Sequence, residues 1–418
     1  MYKIESFIYR MLFISMFLIL SASSLMAKQI FVSKDKITSI NSAIALANDG
    51  DSIIVNGGVY KEGNIIIKKR ISLIGINLPV IDGEMKSEII SIKRDSVIFK
   101  GFKVMNSGYS TLDDPCGIKV YESKKVIVEN NELYNNFFGI YLQYCTDCTI
   151  INNKITAFGE EEQKIGNGIH CWKSDNIRII GNDIKGHRDG IYFEFVTHSL
   201  IWRNISTNNV RYGLHFMFSN DDSYIANIFS DNGAGVAVMF TKHVLMYNNI
   251  FKDNWGDSSY GILLKEISDA EIIGNIFTKN TSALYLEGAS RMKISNNTFN
   301  DNGWGMKIQA SCMDNVITNN NFTGNTFDIS TNGSLVLNTF NNNYWDKYEG
   351  YDLDRNNIGD VPYHPLSLFS KLSEANPIIM ILYRSFVVLL LDKSEKMIPS
   401  IMPNEFVDNE PVYRKIKL

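Results

Sequence analysis

The chain has 418 residues, 45% of them hydrophobic, and a formal net charge of −4 at pH 7. This length is sufficient for a large buried core, and a mildly acidic chain without a long basic run is not expected to bind nucleic acid. Asparagine is abundant and often occurs in adjacent pairs, which indicates regularly spaced turns.

Residues 1–27 have the pattern of an export signal. Lys3 and Arg10 supply positive charge, the apolar stretch MLFISMFLIL follows, and small residues between Ala22 and Ala27 offer cleavage sites. The alternative is an uncleaved membrane anchor. With either interpretation the body of the chain is expected to be exported, which predicts a periplasmic protein.

The segment 28–110 is predicted to form an N-terminal cap and the first turns of a repeat. In SINSAIALANDGDSIIV, the residues Ile40, Ala43, Ile44 and Ala47 share one face of a helix, and a strand follows. Such a helix would cover the end of a stack of strands, where unpaired strand edges are otherwise exposed.

Residues 111–348 carry an internal repeat with a basic period of about 22 residues. A glycine followed by an apolar residue marks each copy: Gly117, Gly139, Gly168, Gly190, Gly213, Gly235, Gly261 and Gly305, with Ala283 in one copy. An asparagine stands fourteen residues after each mark: Asn131, Asn153, Asn182, Asn204, Asn227, Asn249, Asn275, Asn297 and Asn319. Insertions are confined to one corner, as expected for a solenoid whose units must stack.

Apolar residues alternate within each copy, which indicates strands with one buried face. A second strand carries Val128, Ile150 and Ile179, eleven residues after the glycine. A third strand carries, sixteen residues after the marking residue, Phe229, Phe251, Phe277 and Phe299. Three short strands per copy predict an all-β fold, a right-handed parallel β-helix of the pectin-lyase-like type. Asparagine suits its turns because it tolerates left-handed backbone and can form ladders between copies.

Two positions after each glycine, the second and the fourth, are predicted to point outward. Neighbouring copies place equivalent residues ~4.8 Å apart. The middle copies carry His170, Trp172, Tyr192, Glu194, His215, Met217 and Met239 there, whereas the flanking copies carry lysine, glutamine and glutamate. Thioether and imidazole ligands favour Cu(I), so Met217, Met239, His215 and His170 form a candidate copper site. The patch with Trp172, Tyr192, Glu194 and both methionines equally suits a protein contact.

Many β-helix proteins act on polysaccharides, so a lyase or uronate epimerase is the alternative function. The best candidate residues for it are His187, Arg188, Asp189 and Glu194. The first three are expected at a turn, where polar residues need no catalytic explanation.

Two cysteines form the sequence CTDC, residues 145–148, among five cysteines at irregular spacing. An odd number does not indicate a disulfide framework. The motif is either a redox or metal pair or, as the sequence favours, small residues in a strand and turn.

The segment 349–375 contains YDLDRNNIGD, which places oxygens on Asp352, Asp354, Asn356 and Asp360. This resembles the start of a calcium loop, but Asn357 replaces the expected glycine and no bidentate glutamate closes it. Structural Ca²⁺ and a plain Asx-rich turn both remain open.

Residues 376–418 form a predicted helical docking tail. Asn376 and Pro377 are typical of an N-cap and a first helical residue, and residues 377–391 are almost wholly apolar. The helix is too short to span a bilayer, with Arg384 in its middle. Its own last turn, a membrane surface or a membrane protein could cover it. The candidate docking residues are Ile379, Leu382, Arg384, Phe386 and Leu390.

Several of these segments resemble the NosD family, the periplasmic maturation proteins of nitrous oxide reductase. The resemblance rests on the RYGLHFMFSND and GAGVAVMF copies, the GDSIIVNGGVY and IGDVPY segments, and the ending RSFVVLLLDKSEKMIPSIMPNEFVDNEP. It extends over the whole chain after the export signal.

The resemblance implies a non-enzymatic accessory protein that works with the separate membrane and ATPase subunits of an ABC transporter. It implies help in assembling the copper–sulfur cluster of nitrous oxide reductase, with a copper chaperone as a further partner. No Walker motif occurs in the sequence, in agreement with ATP hydrolysis on another chain. The resemblance supplies no copper ligand set, so the four candidate ligands rest on the stacking argument alone.

Overall fold

The computed structural model describes residues 27–33, 36–110, 113–333, 337–398, 403 and 405–418. The predicted export signal lies almost wholly outside the described residues. Within them, the strands form three parallel sheets of 12, 14 and 13 strands, and each turn of the chain adds one strand to each sheet. We call one such turn a rung.

Sheet 1 contains the strands Ile65–Ile67, Ile90–Ile92, Cys116–Tyr121, Phe138–Gln143, Ile169–Trp172, Asp189–Glu194, Tyr212–Met217, Ala234–Lys242, Tyr260–Ser268, Ser282–Glu287, Trp304–Ile308 and Phe327–Ser330. Sheet 2 contains Gln29–Val32, Ser52–Asn56, Ser72–Ile76, Ile98–Lys100, Ile127–Glu129, Thr149–Ile151, Arg178–Ile180, Leu200–Trp202, Ser223–Ile225, Leu245–Tyr247, Glu271–Ile273, Lys293–Ser295, Met313–Thr318 and Leu337–Asn341. Sheet 3 contains Val59–Tyr60, Val80–Asp82, Lys103–Met105, Glu132–Tyr134, Lys154–Thr156, Asp183–Lys185, Ile205–Thr207, Ile228–Ser230, Ile250–Lys252, Ile276–Thr278, Thr298–Asn300, Asn321–Thr323 and Tyr344–Trp345.

The core is a set of stacked columns, as the repeat predicts. Phe229, Phe251, Phe277 and Phe299 are fully buried and stack with ring centroids 4.8 to 5.5 Å apart. Met246, predicted to point inward, is also fully buried. The glycine that opens each copy allows the chains to approach closely, since a Cβ on Gly213 would lie 2.7 Å from the Gly235 carbonyl oxygen.

A buried asparagine ladder runs along the turn between sheets 2 and 3. The Asn227 Oδ1 accepts from the backbone N–H of Asn204 at 2.9 Å and from its Nδ2 at 3.0 Å. The Asn227 Nδ2 donates in turn to the Ile201 carbonyl at 2.9 Å and to the Asn249 Oδ1 at 3.0 Å. The ladder thus satisfies backbone groups that the turn would otherwise leave unpaired inside the protein.

The last predicted member of this ladder is wrong by one residue. Asn320, not Asn319, accepts from the Asn297 Nδ2 at 3.0 Å. Asn319 instead takes the preceding left-handed position, with φ of 55°. The extra residue lies between Ile308 and Met313, because Leu286 pairs with Ile308 and Ser290 pairs with Met313.

A second asparagine ladder, five residues further along each copy, was not predicted. It includes Asn209, Asn232, Asn254, Asn280, Asn302 and Asn325. His187 occupies this column, and its backbone N–H donates to the Asn209 Oδ1 at 3.1 Å. The His187 ring is fully buried, and burial lowers its pKa to about 4.

The N-terminal cap contains helix α1 (Ile40–Leu46), whose buried face is the predicted one: Ile40, Ala43, Ile44 and the following Ala47. Glu62 accepts from the backbone N–H groups of Ile40 and Asn41 at 2.7 and 2.9 Å. Lys69 Nζ donates to three carbonyls at the other end of the helix. Both ends of this short helix are therefore satisfied by the next stretch of chain.

The C-terminal residues close the other end of the stack. Asp408 Oδ2 accepts from the Asn343 backbone N–H, the Asn343 Nδ2 and the Trp345 Nε1, each at 3.0 Å. Phe406 is buried in the main core, and Val412 forms a bridge to Tyr344. The segment 376–418 is therefore not one peripheral tail, because its last part continues the ladder and the core.

The apolar part of that segment is not the single helix that its composition suggests. After α2 (Leu368–Ala375), a 3-10 helix covers Pro377–Leu382, and α3 covers Phe386–Met397. Arg384 adopts φ of 64° between them, in the left-handed region that ends a helix. Asn376 does cap the first piece, since its side chain accepts from the Ile378 N–H. Among the described residues, none of the helices is both long and apolar enough to cross a bilayer.

Candidate functional site

The outer face of sheet 1 brings the predicted site residues into two parallel columns. His170, Tyr192, His215 and Ala237 are paired neighbours from rung to rung, as are Trp172, Glu194, Met217 and Met239. The predicted adjacency of Met217 and Met239 is thus present in the strand register.

The first of these columns is far more buried than predicted. His170, Tyr192, His215 and Ala237 are only 9, 9, 4 and 0% exposed. The reason is lateral packing on the same face: the ring of His170 stacks on Tyr141 with centroids 4.3 Å apart, and Tyr192 lies 4.8 Å from both imidazoles. Large neighbours on a flat sheet cover one another, which a pattern of single positions does not reveal.

The predicted four-ligand copper set does not come together in one place. Tyr192 stands between His170 and His215, so the two imidazoles are two rungs apart. Met217 and Met239 remain half-buried at the surface, and the Tyr192 hydroxyl donates to the Met217 sulfur at 3.5 Å. Burial raises the pKa of Tyr192 to about 12, which keeps that hydroxyl protonated. The two thioethers are therefore the accessible part of the predicted set.

A buried charge cluster lies beside the histidine column. Asp189 begins a strand of sheet 1 rather than lying in a turn, and its side chain is wholly buried. Arg211 holds it in a bidentate pair, with Nε and Nη2 each 3.0 Å from one carboxylate oxygen. Burial opposes ionisation, but His215, Arg211 and Arg188 nevertheless hold the pKa of Asp189 below its ordinary value.

An exposed aromatic stack, absent from the predicted set, flanks the methionine column. Phe195, Phe218 and Phe240, which we call the phenylalanine ridge, are 40 to 44% exposed and stack with centroids 5.2 and 5.1 Å apart. All three adopt positive φ, a backbone conformation that costs less free energy for glycine or asparagine than for phenylalanine. The signal in the sequence is an aromatic residue five positions after the glycine in three consecutive copies.

The candidate calcium loop has its oxygens engaged by its own backbone. Asp352 accepts from the N–H groups of Asn356 and Asn357 at 3.1 and 3.0 Å, and Asp360 accepts from that of Leu353 at 2.8 Å. Asn356 Oδ1 accepts from the Ile358 N–H at 2.7 Å. The bond from Ile358 to Asn356, two residues apart, is that of an Asx turn. Together these bonds favour the second of the two alternatives left open by the sequence.

The CTDC cysteines are both buried and free, on the inner side of the turn between sheets 1 and 2. The hydrogen bond between their side chains and burial raise the pKa of Cys148 far above its ordinary value. Such thiols resist ionisation and hence reaction. Across the described residues, no group of three or more His, Cys, Asp or Glu side chains is arranged to hold a metal ion.

The helical segment at the C-terminal end lies against sheet 1 by one side only. Val388 is buried with Phe327 and Phe369, and Ile379 packs on the same cluster. The opposite side is exposed: Ile378, Ile381, Phe386, Val387 and Leu389 are 55 to 86% exposed, and Leu382 and Leu390 are partly so. Of the five predicted docking residues, Phe386, Leu390, Leu382 and Arg384 are at the surface and Ile379 is half-buried.

Comparison with known proteins places these features in a family. Residues 158–350 match the family model "Periplasmic copper-binding protein (NosD)". A protein of Stutzerimonas stutzeri described as "Probable ABC transporter binding protein NosD" is 25% identical over 355 residues, 80% of each chain. A Pseudomonas aeruginosa protein of the same description is 25% identical over 392 residues, 89% of this chain and 90% of its own.

The chain is therefore similar to NosD proteins over most of its length. The matched region of the NosD model contains both methionines, the charge cluster and the phenylalanine ridge. Among solved structures, the catalytic unit of a GH87 alpha-1,3-glucanase from Streptomyces thermodiastaticus aligns with a TM-score of 0.58 and 14% identity, over 74% of this chain and 66% of that one. At this identity the likeness shows the β-helix fold alone and says nothing about activity.

Proposed function

We propose that the protein is a non-enzymatic periplasmic maturation factor that docks on the membrane subunit of an ABC transporter. The observation that carries the proposal is the uncovered apolar side of the helices over 377–397, on a chain whose relatives are described as ABC transporter binding proteins. Large exposed apolar patches mark contact sites on soluble proteins. In this proposal the client is apo nitrous oxide reductase, whose copper–sulfur cluster is assembled with a copper chaperone as donor.

Charged substitutions on the exposed side of the helices test the docking step. Ile381→Asp together with Phe386→Asp places two charges in the proposed contact while leaving Val388 on the solenoid. Leu46→Asp is the matched control, because Leu46 is an exposed apolar residue on α1 at the opposite end. The double variant should fail to co-purify with the transporter and should support little reductase maturation in cells. If the double variant still co-purified with the transporter, the helices over 377–397 would not be the docking element.

The copper step is proposed for Met217 and Met239 alone, since the two imidazoles are buried and two rungs apart. Thioethers exchange Cu(I) readily because they are soft, neutral ligands. Met217→Ala with Met239→Ala is expected to weaken Cu(I) binding, measured by competition with a chromophoric chelator, and to lower maturation. Met313→Ala, another partly exposed methionine, is the control. Unchanged Cu(I) affinity in the double variant would contradict the copper step and would assign both methionines to a protein contact.

The alternative enzymatic function is tested directly with the purified protein and uronate polymers. Formation of unsaturated sugars or a changed uronate ratio, abolished by Asp189→Asn, would replace the maturation proposal. We expect neither product.

A further inference from the structure

Buried N–H donors without acceptors are concentrated on the outer face of sheet 1. Within the described residues, His170 Nε2, His215 Nε2 and Arg188 Nε are all buried and lack a hydrogen-bond partner. Buried polar groups are almost always paired, so three unpaired groups on adjoining strands require an explanation.

The hydrogen bonds of the two imidazoles determine which nitrogen carries the proton. Arg211 Nη2 lies 3.0 Å from His215 Nδ1, and a guanidinium can only donate, so in the neutral His215 ring Nδ1 is the acceptor and Nε2 carries the hydrogen. In the charged ring, which hydrogen-bonds Asp189, Nε2 carries a hydrogen as well. Asn167 Nδ2 lies 3.3 Å from His170 Nδ1, and this orientation of the amide gives His170 the same tautomer. Burial and the nearby Arg188 lower the pKa of His170 to about 3, so its ring is neutral at pH 7.

Arg211 is held in a close ion pair, and Arg188 is not. Asp189 is the wholly buried carboxylate of this cluster, and Arg211 engages both of its oxygens. Arg188 lies further away, with Nε 3.7 Å from the Asp189 Oδ2. Charges of both signs, on Asp114, Lys119 and Glu194, also act on this cluster. The guanidinium side chains of Arg188 and Arg211 are 31 and 30% exposed, so the cluster can be reached from solvent.

We propose that Arg188, Arg211, His170 and His215 form a binding site for a small oxyanion on the outer face of sheet 1. An oxyanion supplies what the cluster lacks, which is oxygen acceptors for the unpaired N–H groups. A cationic ligand would meet two guanidiniums, and Nε2–H cannot coordinate a metal. The site is separate from the two methionines, whose thioethers lie in the neighbouring column.

A tetrahedral inorganic anion and a carboxylate group both supply oxygen acceptors of this kind, and a titration with different salts distinguishes them. Phosphate, sulfate and acetate are titrated into the full-length protein at constant ionic strength, with chloride as reference, and binding is followed by calorimetry and by the melting temperature. At least one of the three should bind saturably and raise the melting temperature more than chloride does. The preferred anion identifies the ligand class. Equal effects of all four salts would overturn the proposal.

Arg188→Met tests the site with little disturbance, because the Asp189–Arg211 pair remains. It should weaken binding of the preferred anion at least tenfold. Arg178→Met is the matched control, since Arg178 is an exposed arginine on sheet 2. Equal loss in both variants would mean a nonspecific charge effect and would overturn the site.

If Arg188→Met does not fold, NMR of the unmodified protein tests the anion site instead. With only six histidines in the sequence, the imidazole N–H resonances can be assigned by NMR. The Nε2–H signals of His170 and His215 should shift on addition of the bound anion, while those of the exposed His198 and His243 should not. Shifts confined to the exposed histidines would contradict the proposal.

Discussion

The inside of the solenoid and the outer face of sheet 1 are formed by alternate residues of the same strands, yet they differ in regularity. Inside, the same residue types recur at each rung, because every turn presents the same backbone groups that must be bonded and the same space that must be filled. Outside, the residue types change from rung to rung: the middle rungs carry His215 and the two methionines beside a buried charge pair, whereas Lys119, Lys265 and Glu287 occupy these columns in flanking rungs. The residues that repeat from rung to rung therefore stabilise the fold, and the outer residues that depart from the repeat form the candidate site.

The largest expected effect comes from breaking the interior pattern. Asn227→Ala removes an acceptor for two groups of Asn204 and a donor to Ile201, all buried. We expect the free energy of unfolding to fall by about 4 kcal/mol, from several buried groups left unpaired at 1–3 kcal/mol each. Urea denaturation measures it. Asn248→Gly, at the exposed residue that precedes the next ladder member Asn249 and has φ of 53°, should be close to neutral. Similar losses in both would contradict the distinction.

The end of the ladder should be nearly as sensitive. Asp408→Ala leaves two N–H groups of Asn343 and the Trp345 Nε1–H without their common acceptor. A loss of about 3 kcal/mol is expected, measured in the same way. Asp408→Asn keeps an acceptor oxygen and should lose less. If Asp408→Ala had the stability of the unmodified protein, the C-terminal segment would be peripheral after all.

Acid should affect the outer face through Asp189. Its folded-state pKa is lowered, so its pairing contributes stability that is present above the unfolded pKa of about 4 and is lost as pH falls through the folded value. The melting temperature should therefore decrease with a steeper slope below about pH 4 in the unmodified protein than in Asp189→Asn. Parallel slopes would show that Asp189 does not titrate differently on folding.

The phenylalanine ridge should show the smallest effect on stability. Phe218→Gly removes two ring stacks but relieves an unfavourable positive φ, so the two contributions of about 1 kcal/mol each oppose one another. A change of the unfolding free energy within about 1 kcal/mol is expected. A much larger loss would place the ridge among the structural columns.

The rung architecture was predictable from the repeat alone. Glycine-to-asparagine spacing predicted the stacked strands, the ladder, the phenylalanine column and the inward direction of Met246, because a repeat forces equivalent residues into equivalent surroundings. The adjacency of Met217 and Met239 follows from the same argument. The N-terminal helix was equally predictable, since its buried face is a local pattern.

Other features of the site depend on packing that the repeat does not specify. Burial of His170 and His215 depends on the lateral packing of Tyr141 and Tyr192 from other rungs. The bidentate pair of Asp189 and Arg211, which are one rung apart, depends on side-chain orientations that the repeat does not specify, and the closure by Asp408 joins positions 65 residues from Asn343. The break at Arg384 likewise opposes the helical composition around it. These features arise from side-chain packing and from contacts between residues distant along the chain, and the repeat pattern does not predict them.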